Sequence, residues 1–217
     1  KYCQFKAICA KDLLGCSYGK TNLSELDMAM IISDVPCVAA GTFTINVAKA
    51  APVKWDQAQV KEQPFAQAII VNSGIANACT GAEGFGYCKD TTDAAAEALG
   101  IPAESVLVAS TGVIGQPLDL TPIAAGMQEL ASGLCKDAAH ANYASEAILT
   151  TDLVKKEIAV SFNIGGKECR IGGIAKGSGM IHPNMATMLV FITTDAAISP
   201  AMLSKALSND IKNTFNM

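Results

Sequence analysis

The sequence predicts a layered α/β or α+β fold with mixed sheets. Short apolar or alternating runs, typical of strands, are interleaved with longer segments whose apolar residues recur at helical spacing. The order includes a hairpin and lacks a regular strand–helix–strand repeat, so a purely parallel sheet is not predicted. With 217 residues, of which 50% are hydrophobic and 17% charged, the chain can bury a sizeable core.

Seven strands are predicted from apolar runs and from alternation of apolar and polar residues. They cover residues 28–33, 41–46, 66–71, 106–109, 158–164, 168–175 and 188–192. Gly165 and Gly166 separate the fifth strand from the sixth and predict a tight hairpin turn. The last strand, an unbroken apolar run, is expected to be buried on both faces, with Thr187 at its beginning.

Four helices are predicted between and after these strands. The first covers residues 85–99 and should end at Gly100 and Pro102. The second opens at Thr121 and Pro122, with the threonine hydroxyl as its cap and the proline in the first turn. The third covers about residues 137–149, and the last follows Ser199 and Pro200 to about residue 215.

Composition narrows the class of partner. Sixteen basic and twenty acidic residues give a net charge of −4, and aromatic residues make up only 6%, which disfavours nucleic acid and favours small molecules. No apolar run approaches the ~18 residues of a membrane span, and the first residues lack a secretory pattern and an initiator Met. We therefore expect a soluble, cytoplasmic protein whose start has been trimmed.

The cysteines predict neither a metal site nor a redox pair. Eight of them stand at positions 3, 9, 16, 37, 79, 88, 135 and 169, without a CxxC pair and with only two histidines in the chain. Scattered cysteines of this kind are typical of small buried hydrophobes in a reducing compartment. The glycine-rich loop 80–86 lacks the Gly-Lys-Ser/Thr of a phosphate-binding loop. No cofactor is predicted.

The segment from residue 165 to residue 194 is the strongest candidate for a site. Thr187 lies between a glycine-rich stretch, residues 172–183, and the apolar run that follows. Closely spaced glycines let the backbone adopt unusual conformations and let other groups approach it. A hydroxyl fixed at this junction is a candidate nucleophile. A threonine in a strand is also simply a good β-former, and that alternative remains open for Thr187.

Three further residues could complete such a site. Thr111 and Gly112 lie in a polar, glycine-flanked stretch after a predicted strand, where a hydroxyl and a backbone N–H can converge on an oxyanion. Lys176, between small residues, could carry positive charge into the same cleft. The alternatives are a local turn for Thr111 and a solvated side chain for Lys176. Thr150, which follows the third predicted helix, is interpreted as a helix cap. His182 is interpreted as a structural hydrogen-bonding residue.

Seven motifs in one order resemble the ornithine acetyltransferase family of the arginine pathway, also called glutamate N-acetyltransferase. They are SDVP at 33–36, AGTFTIN at 40–46, AAPV at 50–53, VNSGIANACTG at 71–81, ASTGVIG at 109–115, TTD at 150–152 and AKGSGMIHPNMATML at 175–189. The resemblance runs from about residue 26 to the end of the chain. It implies the layered mixed-sheet fold of the aminopeptidase and ornithine acetyltransferase type.

The resemblance also implies a mechanism. The chain would cleave itself between Ala186 and Thr187, so that residues 1–186 belong to a first chain and residues 187–217 begin a second one. Thr187 would then be the nucleophile, with its new α-amino group, whose ordinary pKa is near ~8, as the base. In a ping-pong reaction N2-acetylornithine would acetylate the threonine and glutamate would take the acetyl group.

Further roles follow from the same resemblance. Thr111 and Gly112 would form the oxyanion hole, and Thr150, Lys176 and Thr187 would bind substrate. Two alpha and two beta chains would assemble into a heterotetramer, and some family members also use acetyl-CoA as a donor, which this sequence leaves open.

Two departures from the family accompany the match. Family precursors are roughly twice this length, a span typical of two large domains, so the second chain's later substrate contacts have no counterpart here. Residues 3–18 do not closely match the family. A self-processing aminopeptidase or amidohydrolase of related architecture and a non-catalytic binding module remain as alternatives.

Overall fold

The fold contains two β-sheets, and the first of them is mixed. The computed structural model describes residues 4–8 as backbone and residues 26–179 and 187–216 in full. The first sheet has the order β1-β2-β3-β4, with β1, β2 and β3 antiparallel and β4 parallel to β3. Its strands are β1 (Gln4–Ile8), β2 (Met28–Val38), β3 (Phe65–Ile75) and β4 (Val106–Val113). The predicted mixed-sheet class is confirmed.

The second sheet is a three-stranded antiparallel meander. Its strands are β5 (Lys156–Ile164), β6 (Lys167–Lys176) and β7 (Leu189–Thr194). The predicted hairpin between β5 and β6 is present, because Gly165 and Gly166 adopt the positive φ angles of 57° and 78° that a two-residue turn requires. β7 is only half-buried, so the prediction of a strand buried on both faces was wrong.

Five α-helices occur in the described parts of the chain. They are α1 (Ala51–Glu62), α2 (Glu83–Leu99), α3 (Leu120–Ser132), α4 (Ala138–Ala147) and α5 (Pro200–Asp210), with short 3-10 helices at Ala103–Ser105 and Ile211–Asn213. α2 ends at Gly100 in the left-handed conformation, as predicted. The cap of α3 was predicted wrongly: the Asp119 carboxylate accepts the N–H of Thr121 at 2.9 Å.

The first sheet lies between two hydrophobic layers, and the alternation along its strands sets the layers. On β2, Met28 and Met30 face helices α1, α2 and α3, where Ile123 and Leu130 of α3 are fully buried. Ala29 and Ile31 face the opposite way. On that side α4 and the second sheet complete the core through the residues Ala144, Ala147, Ile148 and Ile174.

One predicted strand is absent, and one helix was not predicted. Residues 41–46 form no strand, and Ile45 is largely exposed, because no described strand lies beside this stretch to pair with it. Helix α1 was not predicted, since it buries only Ala51 and Pro52 and therefore lacks an apolar stripe.

α1 contributes polar groups to the free edge of β4. The Asp56 carboxylate accepts the N–H of Val108 at 3.1 Å, and the Gln59 amide donates to the carbonyl of Val106 at 3.0 Å. These bonds satisfy backbone groups that an edge strand would otherwise leave without protein partners. Burial raises the pKa of Asp56 to about 8, and the hydrogen bond from Val108 only partly offsets this.

The five cysteines with described side chains all carry free thiols. Only Cys88 is buried, whereas Cys79 is exposed and Cys37, Cys135 and Cys169 are half-buried. The prediction of buried small hydrophobes was therefore right for Cys88 and wrong for Cys79. Among the described helices, none combines the length and the apolar character that crossing a membrane demands.

Candidate active site

The site is built where β3 and β4 run side by side. The predicted strands 66–71 and 106–109 were expected to end before Asn72 and Ser110, but both strands continue and keep their parallel pairing as far as Ile75 and Val113. Gly74 lies opposite Gly112, which has a φ angle of 132°. A Cβ atom on residue 112 would lie 2.1 Å from the carbonyl carbon of Gly74, so only glycine fits this close approach.

A buried lysine joins three elements of the fold. The Nζ atom of Lys176, at the end of β6, donates to Oγ1 of Thr111 on β4 at 3.0 Å and to Oγ1 of Thr150 at 2.6 Å. Thr150 follows helix α4, and all three side chains are buried, with Lys176 only 3% exposed. The alternative of a solvated lysine was therefore wrong. The structure brings these three predicted residues into direct contact.

Asp152 is a residue of this site that the sequence reasoning missed. It is fully buried, and its Oδ1 atom accepts the N–H of Gly177 at 2.8 Å and pairs with the ammonium group of Lys156. The only sequence signal was its place at the end of the TTD motif, two residues after Thr150. Its contacts could not be inferred from that position alone.

The charges at this site act on one another. Burial opposes ionisation of Asp152, but hydrogen bonds from Lys156 and Gly177, together with the charges of Lys156 and Lys176, outweigh it and hold the pKa of its carboxyl below the ordinary value. Burial lowers the pKa of Lys176, the charge of Asp152 raises it, and Lys156 lowers it; the net direction is downward. The ammonium form of Lys176 therefore depends on a nearby negative charge.

Thr187 lies close in sequence to the residue of β7 that pairs with Lys176. Leu189, the first residue of β7, is paired with Lys176, and Thr187 precedes it by two residues. The threonine is exposed and has a φ angle of 60°, an unfavourable conformation for a β-branched residue. None of the hydrogen bonds among described residues joins Thr187 to Thr111 or Lys176. Ala186 and His182 lie outside the described residues.

The other polar motifs of the first sheet have structural roles. The amide of Asn72 donates to the carbonyl of Ile75 at 2.9 Å, and the hydroxyl of Ser73 donates to the carbonyl of Ala147 at 2.6 Å, which connects β3 to α4. Asn77 donates to the carbonyl of Gly84 at 3.0 Å and thereby braces the glycine-rich loop against α2. The side chain of Asn77 therefore holds this loop.

Among the residues that the structure describes, one cluster of metal-ligating groups occurs away from this site. Cys135, Asp137 and His140 place their donor atoms within 4.8 Å of one another. The contact between Asp137 and His140 is accounted for by helix capping, because the Asp137 carboxylate accepts the backbone N–H of His140 at 2.8 Å at the start of α4.

Comparison with known proteins places the chain in a family. A family model described as the ArgJ family matches residues 14–217. The arginine biosynthesis bifunctional protein ArgJ 1 of Clostridium acetobutylicum is 47% identical over 213 residues, which cover 98% of this chain and 50% of that protein. The chain spans about half the length of the curated relatives it matches.

Two solved structures resemble the fold. The arginine biosynthesis bifunctional protein ArgJ of Bacillus halodurans matches with a TM-score of 0.77 and 39% identity, over 86% of this chain and 92% of that one. The ornithine acetyltransferase of Mycobacterium tuberculosis, solved in complex with ornithine, matches with a TM-score of 0.73 and 34% identity, over 85% and 92% of the two chains. The resemblance predicted from the seven motifs is confirmed, and the chain belongs to the ArgJ family.

Proposed function

We propose that this chain is part of an ornithine acetyltransferase that moves the acetyl group from N2-acetylornithine to glutamate. One observation carries the proposal: Lys176 joins Thr111 and Thr150 at the edge where Gly112 approaches Gly74. A hydroxyl, a backbone N–H and a cation thus gather near the strand end that leads to Thr187. The relative from Mycobacterium tuberculosis, named an ornithine acetyltransferase, supports the substrate class.

Thr187 is the proposed nucleophile of a ping-pong reaction. Its Oγ1 atom attacks the acetyl carbonyl of N2-acetylornithine, and its own α-amino group takes the hydroxyl proton. The C–N bond of the amide then breaks, the proton passes to the departing amine, and ornithine leaves an acetyl ester on the threonine. The amine of glutamate attacks this ester and restores the hydroxyl. Thr150 and Lys176 bind the substrate.

Thr111 and Gly112 are the proposed oxyanion donors. An ammonium group has three protons and no lone pair, so Lys176 can only donate to Thr111. The hydroxyl of Thr111 accepts this bond, and its own proton stays available for a second acceptor. The N–H of Gly112 is the companion donor. A fixed pair of this kind stabilises the tetrahedral intermediate without reorganising during the reaction.

Self-cleavage is proposed to precede transfer. The hydroxyl of Thr187 attacks the carbonyl of Ala186, the acyl group shifts from nitrogen to oxygen, and water hydrolyses the resulting ester. The left-handed backbone of Thr187 supports this step, since strain in the uncleaved chain is released when the peptide bond breaks. This chain covers 92% of the crystallised ArgJ chain of Bacillus halodurans but only about half of the curated full-length relatives. The crystallised chain is therefore much shorter than those relatives, which also supports a two-chain product.

An exposed apolar surface supports a partner chain. Directly opposite residues share one face of a sheet, and on the outer face of the second sheet four side chains are between 44% and 72% exposed: Ile158, Val160, Ile164 and Ile192. We assign this face to the part of the relatives' length that this chain does not span. The assembly of two alpha and two beta chains belongs to the same proposal.

The test uses the full-length enzyme with N2-acetylornithine, with and without glutamate. Transfer predicts N-acetylglutamate and ornithine when glutamate is present, and no more than one ornithine per active site when it is absent. Continuous release of acetate without glutamate would instead indicate a hydrolase. Intact mass should show two chains produced by cleavage between Ala186 and Thr187. A single uncleaved, inactive chain would instead favour a binding module. Acetyl-CoA with glutamate tests the second donor.

A further inference from the structure

We propose that Asp152 is a positioning residue of this site, which keeps Lys176 charged and anchors the backbone at Gly177, directly after β6. The inference deepens the proposed function and rests on it. Asp152 touches neither the proposed nucleophile nor the proposed oxyanion donors in the described contacts. It acts through Lys176 and through the backbone of Gly177.

The geometry places Asp152 between two parts of the site. It follows Thr150 by two residues, and it accepts the N–H of Gly177 at 2.8 Å. Gly177 comes directly after Lys176 and has a φ angle of 154°, which lies in the region that favours glycine. One fully buried carboxylate therefore fixes the backbone directly after the end of β6.

The electrostatic need for Asp152 follows from the partners of Lys176. Its two hydrogen-bond partners among the described residues, Thr111 and Thr150, are neutral hydroxyls, and a buried ammonium group is costly without a counter-charge. The negative charge of Asp152 acts on this ammonium, whereas Lys156 acts against it.

Two other acids in the neighbouring elements have partners of their own. Glu146 of α4 binds Lys155, and Glu157 of β5 accepts a hydrogen bond from the hydroxyl of Ser145. Lys156 also forms an ion pair with Asp152, but its side chain is 45% exposed, so water already solvates that cation. The buried carboxylate thus serves the buried lysine as its counter-charge.

Loss of this charge would alter the oxyanion hole. A neutral lysine amine has a lone pair and can accept a hydrogen bond. The hydroxyl of Thr111 could then turn its proton toward the Nζ atom of Lys176 and away from the oxyanion. Asp152 therefore keeps Thr111 in its donating orientation by keeping Lys176 in its charged form.

The test compares full-length wild type with Asp152→Asn and Lys156→Met. The asparagine oxygen can still accept the N–H of Gly177, so the first variant removes mainly the charge. The titration midpoint of Lys176 is measured by NMR of protein labelled with 15N-lysine, with the signal identified by its loss in Lys176→Met. We expect Asp152→Asn to lower this midpoint by roughly 1 to 3 units, as for other close opposite charges.

The activity profile should move in parallel. The high-pH limb of kcat for acetyl transfer should shift to lower pH in Asp152→Asn by the same amount as the midpoint. Lys156→Met should keep or raise the midpoint, since it removes a competing cation. An unchanged midpoint in Asp152→Asn, or an equal fall in Lys156→Met, would overturn the proposal.

Two further outcomes are decisive. If Asp152→Asn does not fold, the NMR midpoint of Lys176 in the wild type still tests the proposal. A Lys176 that is neutral near neutral pH contradicts the proposal, and a charged one supports it. If the wild type transfers no acetyl group from N2-acetylornithine to glutamate, the proposed function fails. The NMR midpoint then still decides whether Asp152 keeps Lys176 charged.

Discussion

Gly112→Ala should disrupt the junction of β3 and β4 more severely than its single added methyl group suggests. Gly112 has a φ angle of 132°, and a Cβ atom there would lie 2.1 Å from the carbonyl carbon of Gly74 and 2.2 Å from its oxygen. All of these contacts are with backbone atoms, so no flexible side chain can move aside. The two strands must separate where the proposed oxyanion hole lies.

The magnitude has two parts. A positive φ angle costs an L-residue roughly 1 to 2 kcal/mol. Carbon atoms pack best at about 3.5 to 4.0 Å, so the backbones must part by more than ~1 Å, and each backbone hydrogen bond lost there contributes about 1 kcal/mol. We expect the free energy of unfolding to fall by about 4 kcal/mol or more, which is exceptional for one substitution.

Gly115→Ala is the matched control. Gly115 has a φ angle of 75°, but a Cβ atom there would meet nothing within 4 Å, so it isolates the cost of conformation. Urea unfolding of the full-length proteins should show a loss of only about 1 to 2 kcal/mol for this variant. Equal losses for Gly112→Ala and Gly115→Ala would refute the reasoning from close approach.

The remaining predictions concern catalysis and pH. Thr187→Ala should give one uncleaved chain and no acetyl transfer, as seen by intact mass and by the transfer assay; activity in this variant would refute the mechanism. Thr111→Val should raise the transfer barrier by about 2 to 4 kcal/mol while Thr111→Ser retains most of the rate, and equal rates in the two variants would exclude an oxyanion role for the hydroxyl. Burial raises the pKa of Asp56 to about 8, so the folded state favours its protonated form and wild type should lose stability as pH rises from about 4 through about 8. Asp56→Asn, which can still accept the N–H of Val108, should be more stable than wild type at about pH 9 in urea unfolding, and a lower stability there would contradict the buried neutral acid.

Local patterns predicted most of the elements because a local cause determines them. The apolar run that begins at Met28 predicts β2, and the paired glycines at 165 and 166 are required by the turn itself. Residues 41–46 also alternate, yet they form no strand, because a strand needs a neighbour to accept and donate its hydrogen bonds. α1 was missed because its polar side chains, not an apolar stripe, attach it to β4.

The candidate site was predicted in part, because some of its residues belong to local sequence motifs. Thr111, Gly112, Thr150 and Lys176 belong to motifs that the sequence displays directly, and their proposed chemical roles follow from the family resemblance. Asp152 was missed because a lone acid in a loop carries no signal of burial. Its proposed role depends on Gly177 and Lys176, which the fold brings to it from the end of β6.

The sequence by itself determined the family, the mixed α/β class and the identity of the chemical groups at the site. The tertiary structure decided how those groups meet: Lys176 reaches across 65 positions of sequence to Thr111 and across 26 to Thr150. Periodicity and turn residues act over a few positions along the chain, whereas these contacts exist only because the second sheet packs with α4 against the first. The counter-charge of a buried lysine is therefore a property of the packed layers and not of any motif.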